Sequence, residues 1–420
     1  MYFSHHEDSK QPSDAEEPEE NFHAKNTEIC SFANEFLFCS SSFETDQNSA
    51  SGSSFPTDRK MFVYLRSRTT YGFQSVCYLL IGTNWRNTPY RRVWNFEMLS
   101  KPEEVELAVE TALTAGYRHI DTAYNYNNED AIGRALKRWL SDEDHHREDL
   151  FIATKLPHIG NRASDVVKFL DKSLERLQLE YVDLYMVHMP FGFLPDQSGE
   201  SPAIQQDGSF ALDMNTDHIT VWKALEEQVV MGKVRAIGVS NFNLTQLERL
   251  MKEAVILPAV NQVELHAYLQ QPELRTYCQQ HGITVTAYSP LGSPGSKMHF
   301  QKKYNYSPET FPDLLGHSVV LKIAEAHRKT PAQILLRHLV QQKIAVIPKS
   351  TNPTRITENI QVLSLFMKSL SINFVLDVTF GVRKKMSNVF DFELSKNELD
   401  QLNRLDQDEK GRIIDFMFFK

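Results

Sequence analysis

The sequence predicts an α/β protein that folds as a (β/α)8 TIM barrel with a disordered N-terminal extension. Short β-branched apolar runs alternate with segments of helical period, and eight such units occur in roughly 300 residues. Alternation of strand and helix indicates a parallel sheet. Because no Gly-x-Gly-x-x-Gly turn follows any run, a closed barrel is favoured over an open doubly wound sheet.

The first 60 residues are predicted to be the disordered extension. They are rich in Glu, Ser and Asn, and they carry 12 acidic and 4 basic side chains. Such a segment buries too little apolar surface to offset the entropy of ordering it. The whole chain has a net charge of -9, so residues 61–420 are nearly neutral. A body without clustered Lys and Arg is predicted not to bind nucleic acid.

Composition also predicts a cytoplasmic protein that is not embedded in a membrane. No apolar run reaches the length of a membrane span, and the N-terminus lacks the order of a signal peptide. The four cysteines are scattered without a Cys-x-x-Cys pair. Neither a disulfide framework nor a metal site is therefore indicated.

The strands and helices follow from the period of the apolar residues. The predicted strands are 79–82, 117–122, 151–156, 182–188, 234–240, 259–265, 284–289 and 345–350. The predicted amphipathic helices are 103–115, 129–140, 163–177, 218–231, 244–253, 272–281 and 331–341. Within the helical segments apolar residues recur at intervals of three or four, which gives each helix one face for the core.

Six predicted strands end in polar or ionisable side chains. In a (β/α)8 barrel the carboxyl ends of the strands carry the functional groups. The residues at these ends are Asp121, Lys155, His188, Ser240 with Asn241, Tyr288, and Lys349 with Ser350. Core packing alone explains six such ends poorly, so this edge is predicted to hold the site.

Three neighbouring strand ends suggest acid catalysis. Lys155 ends an apolar run and needs a counter-charge, for which Asp121 is the natural partner. A lysine near Tyr126 is expected to favour the phenolate and to lower the tyrosine pKa from about 10. His188 is placed to donate a hydrogen bond to the same substrate oxygen. Each residue alone is more typical of a structural ion pair or of core packing, whereas the joint arrangement favours protonation of a carbonyl.

Four separated stretches resemble the aldo-keto reductase superfamily, closest to its aldose and aldehyde reductase branch. They are Gly-Tyr-Arg-His-Ile-Asp-Thr-Ala at 116–123, the run at 182–190, the run at 232–242, and Ile-Pro-Lys-Ser at 347–350. The resemblance implies an NADPH-dependent oxidoreductase that reduces aldehydes and ketones to alcohols. It implies a catalytic tetrad of Asp121, Tyr126, Lys155 and His188, with Tyr126 as the proton donor.

The resemblance also implies contacts with the cofactor. The residues expected to make them are Thr83, Ser240, Asn241, Gln262, Tyr288, Ser289, Leu291, Ser293, Lys349, Ser350, Arg355, Glu358 and Asn359. Among these, Lys349, Ser350 and Arg355 are similar to the family's clamp for the 2′-phosphate, since cationic donors select a phosphate over a free ribose hydroxyl. NADPH is therefore expected in preference to NADH.

The implied substrate is a small carbonyl compound contacted by Tyr126, His188 and Met189. Met189 and Pro157 stand where the branch usually carries tryptophans, so a less aromatic pocket is expected. Whether Trp85 or Trp94 faces the substrate stays open. The resemblance implies a monomer, whereas neither the physiological substrate nor the direction of reaction follows from the residues.

The chain departs from the family at residues 363–389, a Phe- and Leu-rich segment without a family counterpart. We therefore predict a tail at 1–60 and a barrel at 61–420 that this segment interrupts. One hypothesis is a retained intron, which transcript reads that always contain the segment would contradict. Two alternative functions stay open: a cofactor-binding regulatory protein with little turnover, and an inactive isoform disrupted by the insertion.

Overall fold

The computed structural model of the chain describes residues 79–80, 101–297, 311–361 and 392–413. The predictions for the tail at 1–60, for Thr83, Trp85 and Trp94, and for the segment at 363–389 lie outside the described residues.

Within the described residues, eight parallel strands form one sheet in which the strand order follows the chain order. The described strands are β1 (Leu79–Leu80), β2 (His119–Asp121), β3 (Phe151–Leu156), β4 (Val182–Val187), β5 (Gly192–Phe193), β6 (Leu212–Asp213), β7 (Val234–Ser240), β8 (Val260–Glu264), β9 (Thr284–Tyr288) and β10 (Ala345–Val346). Strands β1–β4 and β7–β10 make the main sheet, and β5 pairs with β6 in a separate antiparallel hairpin. The predicted (β/α)8 barrel is confirmed.

A contact across the sheet demonstrates its curvature. Asp121 on β2 and Gln262 on β8 are four strand positions apart, which is about 19 Å in a flat sheet. Their side chains nevertheless share a hydrogen bond of 2.8 Å between Gln262 Nε2 and Asp121 Oδ2. The two strands therefore face each other across the interior of a barrel.

Helices cover the outside of the strands. The described helices are α1 (Pro102–Ala115), α2 (Glu129–Trp139), α3 (Val166–Leu177), α4 (His218–Val230), α5 (Leu244–Glu253), α6 (Pro272–Gln280), α7 (Ser318–His327), α8 (Pro331–Gln341), α9 (Pro353–Ile360) and α10 (Lys396–Asn403). Helix α9, which follows the last strand, packs against α1, which follows the first. None of the helices in the described ranges is long and apolar enough to cross a membrane.

The C-terminal helix α10 is fixed to the barrel by histidine side chains. His338 on α8 is fully buried, and its Nε2 lies 2.7 Å from Asn403 Oδ1 on α10. His327 on α7 pairs with Glu398 on α10 at 2.8 Å. After α10 the chain passes against Tyr268, where the Gly411 backbone lies so close to the Tyr268 carbonyl that no side chain fits. These contacts hold the C-terminal segment beside the end of β8.

The buried His338 is expected to make stability depend on pH. Burial lowers the pKa of His338 from 6.5 to about 4, so below pH 6.5 the unfolded chain binds a proton that the folded chain excludes. The free energy of unfolding should fall by roughly 2 kcal/mol between pH 7 and pH 5 from this group alone. In urea unfolding measured at both pH values, the loss of stability from pH 7 to pH 5 should be about 2 kcal/mol smaller in His338→Gln than in the parent chain. Parallel pH curves for the two proteins would contradict this explanation.

Candidate active site

A buried ion pair lies at the carboxyl ends of β2 and β3. Lys155 Nζ donates a hydrogen bond to Asp121 Oδ1 and a second one, of 2.8 Å, to the Thr122 carbonyl. The side chains of Lys155 and Asp121 are 0% and 1% exposed. Burial is the largest influence and alone would lower the pKa of Lys155, but Asp121 and Tyr126 together outweigh it, so that pKa lies above its ordinary value. The lysine therefore stays a cation at neutral pH.

The same carboxylate is held from the opposite side of the barrel. Gln262 Nε2 donates to Asp121 Oδ2 at 2.8 Å, so both carboxylate oxygens accept a hydrogen bond. Burial raises the pKa of Asp121, and Lys155 and Gln262 oppose that rise. Donors on β3 and β8 thus fix the position of the Asp121 side chain from two directions.

Tyr126 reaches this pair from a short turn that follows β2. The turn is a 3-10 helix at Tyr124–Tyr126, and it ends because Asn127 adopts the left-handed conformation with φ 51°. Lys155 Nζ lies 5.0 Å from the centroid of the Tyr126 ring, and the ring is half-buried. The turn therefore brings the phenol next to the buried cation, as the sequence predicted.

The expected direction of the Tyr126 pKa was wrong. Burial raises the pKa of Tyr126 above 10.0, and the nearby Lys155 opposes but does not cancel that rise. Burial is the largest cause, and the Asp121 carboxylate acts in the same direction, because both disfavour a phenolate. Tyr126 is therefore a protonated phenol at neutral pH, next to a cation that stabilises the anion formed when the proton leaves.

His188 follows β4 and lies beside the same phenol. The rings of Tyr126 and His188 are 5.5 Å apart between centroids and nearly perpendicular at 84°. Burial, together with His158 and Lys155, lowers the pKa of His188 well below 6.5. A neutral imidazole results, and it offers one N–H donor without adding charge to the site.

Asp121, Tyr126, Lys155 and His188 together form what we call the acid cluster. Sequence reasoning missed His158, which lies next to it. It lies three residues after Lys155, and its ring is 5.3 Å from the His188 ring at an interplanar angle of 27°. Asn125, inside the turn that carries Tyr126, donates a hydrogen bond from Nδ2 to His158 Nδ1. The strand-end rule that selected Lys155 and His188 could have found His158, because it follows the carboxyl end of β3.

A network of polar side chains connects β7, β8 and β9 next to the acid cluster. Tyr288 Oη donates to Asn241 Oδ1 at 2.8 Å, and Asn241 Nδ2 donates to the His188 carbonyl at 3.1 Å. Ser240 Oγ donates to the Gln262 carbonyl at 2.8 Å. Asn241 takes the left-handed conformation with φ 64°, which asparagine tolerates better than most residues. Four predicted cofactor residues are thus brought together beside Asp121.

A tight turn after β9 contains three more of the predicted residues. Ser289 and Ser293 have positive φ angles of 51° and 46°, and Gly292 has 75°. Ser293 Oγ donates to Ser289 Oγ at 2.7 Å, while Leu291 packs against the core. The Gly292 N–H closes the turn on the Ser289 carbonyl at 2.9 Å, which leaves the Ser289 hydroxyl as a donor that suits an anion. The turn therefore matches the chemistry of a pyrophosphate.

The remaining predicted residues lie after β10 and on α9. Lys349 and Arg355 are exposed, and Ser350 is buried, with its Oγ accepting the Asn352 N–H at 3.1 Å. Asn352 caps the N-terminus of α9 by accepting the Arg355 N–H at 3.0 Å. Two cations beside a helix N-terminus form a donor set that fits a phosphate. Further along α9, Glu358 is half-buried and Asn359 is buried.

Met189 is buried beside Asn241 and Asn161. The residue is 4% exposed, and its sulfur accepts a hydrogen bond from Asn241 Nδ2 at 3.0 Å. Next to it, Asn161 Nδ2 donates to the Met189 carbonyl at 3.0 Å. The role of Met189 as a substrate contact stays a prediction.

Among residues 101–297, 311–361 and 392–413, no cluster of three or more His, Cys, Asp or Glu side chains is arranged to bind a metal.

Comparison with known proteins identifies one family. The model of the Aldo/keto reductase family matches residues 82–373. Aldo-keto reductase family 1 member A1 from Mus musculus is 42% identical over 310 residues, which cover 73% of this chain and 83% of that relative. The protein of the same name from Homo sapiens is 41% identical over 310 residues with the same coverage.

Solved structures give the same result. The aldose reductase from Schistosoma japonicum superposes with a TM-score of 0.63 at 35% identity, covering 81% of this chain and 91% of that one. An aldo-keto reductase from Bombyx mori, solved in complex with NADP, superposes with a TM-score of 0.62 at 30% identity. It covers 82% of this chain and 92% of the Bombyx mori chain.

Proposed function

Because the chain belongs to the aldo-keto reductase family, we propose that it reduces aldehydes and ketones to alcohols with NADPH, using Tyr126 as the proton donor. One observation carries this proposal: the half-buried Tyr126 ring lies 5.0 Å from the paired cation Lys155 and 5.5 Å from the ring of His188. A proton donor, a cation for its conjugate base and a neutral hydrogen-bond donor therefore meet in one pocket.

The protein side chains divide the protonation step among them. Tyr126 holds the proton at its hydroxyl and donates it to the carbonyl oxygen, while Lys155 stabilises the resulting phenolate. Asp121 keeps Lys155 in place, and neutral His188 orients the carbonyl oxygen by a hydrogen bond. A bound nicotinamide supplies the hydride that completes the reduction.

The donor set of the barrel mouth supports a dinucleotide cofactor. We assign Ser240, Asn241 and Gln262 to the carboxamide and Tyr288 to the face of the nicotinamide ring. We assign the left-handed turn that contains Ser289 and Ser293 to the pyrophosphate; the Gly292 N–H closes this turn on the Ser289 carbonyl. The NADP named with the Bombyx mori structure also supports a dinucleotide as the cofactor.

The preference for NADPH is assigned to Lys349 and Arg355, which are exposed beside the N-terminus of α9. Each cation that contacts a 2′-phosphate contributes about 1.5–3 kcal/mol, or roughly 10- to 100-fold in affinity. Lys349→Met and Arg355→Met should therefore weaken NADPH binding by that factor and leave NADH binding within about twofold. Fluorescence titration with both cofactors measures the difference.

Lys137→Met, at an exposed lysine of α2, is the matched control and should bind both cofactors like the parent chain. Equal losses of NADPH and NADH affinity in the Lys349→Met and Arg355→Met variants would overturn the phosphate assignment.

The function itself is tested by turnover. The purified chain is incubated with NADPH and a panel of aldehydes, ketones and sugars, and NADPH consumption is followed at 340 nm, the nicotinamide absorption band. Consumption that depends on the carbonyl compound supports the proposal. Tight NADPH binding without turnover on any member of the panel would reject it and favour a regulatory role.

The same assay tests whether residues 363–389 interrupt the barrel domain. We propose that the chain without this segment is at least as active as the full chain, because Phe390 and the residues after it resume the family's pattern. Activity found only in the shortened chain would identify the longer one as an inactive isoform.

We further propose a cytoplasmic monomer. Four cysteines without a Cys-x-x-Cys pair are typical of a reducing compartment, and a single chain carries all four proposed catalytic residues. Light scattering of the purified chain and fractionation of expressing cells test the two statements. A dimer in solution or a membrane-associated pool would contradict them.

A further inference from the structure

Among the described residues, the imidazole of His188 has two ring neighbours. The Tyr126 ring meets it nearly at right angles at 5.5 Å, and the His158 ring lies roughly parallel to it at 5.3 Å. The first neighbour belongs to the proposed chemistry. The second has no role in it, although it is equally close.

The His188 ring is short of polar restraints. Its Nδ1 is buried and finds no hydrogen-bond partner among the described residues. A functional histidine is usually oriented by a hydrogen bond on the ring nitrogen that does not face the substrate. The backbone carbonyl of His188 is held by Asn241 at 3.1 Å, but that contact leaves rotation of the ring free. Packing must therefore set the ring orientation.

His158 is itself anchored to the segment that carries Tyr126. Asn125 Nδ2 donates to His158 Nδ1, and Asn125 immediately precedes Tyr126. Because an amide NH2 can only donate, the neutral His158 ring then carries its proton on Nε2. One short chain of contacts thus connects the turn of the proposed acid to the ring of His188.

The turn that presents His158 is fixed on its other side as well. It is a short helix at His158–Gly160, and Asn161 follows it directly. Asn161 Nδ2 donates to the Met189 carbonyl at 3.0 Å and to the Phe191 carbonyl at 2.9 Å. Asn161 is 2% exposed, so these bonds are shielded from water. The segments after β3 and β4 are therefore bound together where His158 meets His188.

The surroundings of His158 and His188 keep both imidazole rings uncharged, so the two rings can pack against each other. The rings of Phe191 and Phe193 each lie 5.4 Å from the His158 ring. Burial lowers the pKa of His158 to about 4, so at neutral pH the ring carries no charge. A neutral ring can pack on the equally neutral His188 without repulsion.

We infer that His158, held by Asn125, is a positioning residue that fixes the imidazole of His188 for hydrogen bonding to the substrate oxygen. The inference rests on the proposed reductase function and deepens it. His158 acts through His188 rather than on the substrate. Its effect should therefore fall on kcat more than on KM, because orientation matters most in the transition state.

Substitutions of His158 and Asn125 test whether the contact between the two rings affects kcat, with one variant reserved in case the protein does not fold. His158→Ala removes the ring and should lower kcat about tenfold or more, with KM for the carbonyl changing less than threefold. His158→Phe keeps a ring of similar size and should stay within about threefold of the parent kcat. Asn125→Ala removes the hydrogen bond to the His158 ring. Its kcat should lie between those of His158→Ala and His158→Phe. If His158→Ala does not fold, His158→Leu, which fills the volume without a ring, takes its place with the same expected loss.

His145→Ala is the matched control. His145 is also half-buried, and its ring stacks on Trp139 at 3.8 Å, outside the acid cluster. Its loss should leave kcat within twofold. A kcat of His158→Ala within twofold of the parent would overturn the inference, and so would equal losses in His158→Ala and His158→Phe.

Crystal structures of His158→Ala and His158→Phe give a readout that needs no turnover. The His188 ring should move or become disordered in the first and keep its place in the second. If the parent chain consumes no NADPH with any carbonyl compound, the proposed function fails, yet the position of this ring still decides whether His158 holds His188. An unchanged His188 ring in His158→Ala would reject the positioning role on its own.

Discussion

Tyr126→Phe is expected to lower kcat for carbonyl reduction by about 10³-fold, within the range that a positioned general acid contributes. The substitution removes only the hydroxyl that holds the proton. The aromatic ring, and with it the perpendicular contact to His188 at 5.5 Å, is kept. NADPH affinity, measured by fluorescence titration, should therefore stay within about twofold while NADPH consumption at saturating substrate collapses.

Tyr124→Phe is the matched control for that experiment. Tyr124 lies in the same short helix, is 4% exposed, and packs its ring 5.0 Å from Phe169 on the far side of the turn. Its hydroxyl meets Arg176 at 3.4 Å and does not reach the acid cluster. The control should retain kcat within about twofold. A Tyr126→Phe enzyme that keeps more than a tenth of the parent kcat would show that the proton comes from elsewhere.

Several elements were predictable because their signals are local. Helix α5 has the predicted bounds, and its start is marked in the sequence because Asn243 and Gln246 form a capping box. Thr330 and Gln333 form another at the start of α8. Strand β7 also has the predicted bounds, Val234–Ser240. Such signals need no knowledge of the rest of the fold.

Other features depend on the assembled barrel. The hairpin of β5 and β6 was not predicted, because strands of two residues are too short to show a period. Helix α7 was missed as well, although it contains apolar residues such as Val320 and Ile323. The hydrogen bond between Gln262 and Asp121 joins residues on opposite strands, which no local pattern indicates.

In the site, too, some features follow from local sequence signals and others depend on the assembled barrel. Asp121, Lys155 and His188 were found because each stands at a strand end, and the structure brings them together with Tyr126. The direction of the Tyr126 pKa was not predictable, because burial opposes the effect of Lys155 and depth cannot be derived from a linear pattern. His158 follows the carboxyl end of β3, but its part in the site depends on its distance to the His188 ring, which the sequence does not give.

Lys155→Met should affect both stability and turnover. It leaves the Asp121 carboxylate buried without its cation, which costs about 3–5 kcal/mol in the free energy of unfolding. It also removes the cation beside Tyr126, so kcat should fall by about 10²-fold or more. Urea unfolding and NADPH consumption measure the two effects separately.

The double variant Asp121→Asn with Lys155→Met distinguishes the two roles of the pair. Without either charge, no uncompensated ion is buried, and Gln262 can still bond to the asparagine side chain in place of the carboxylate. Most of the lost stability should therefore return, because the energies of contacting residues are coupled rather than additive. Turnover should not return, since no cation faces the phenolate. Recovery of kcat with stability would mean that Lys155 serves the fold alone, and a stable Lys155→Met single variant would show that Asp121 finds another partner.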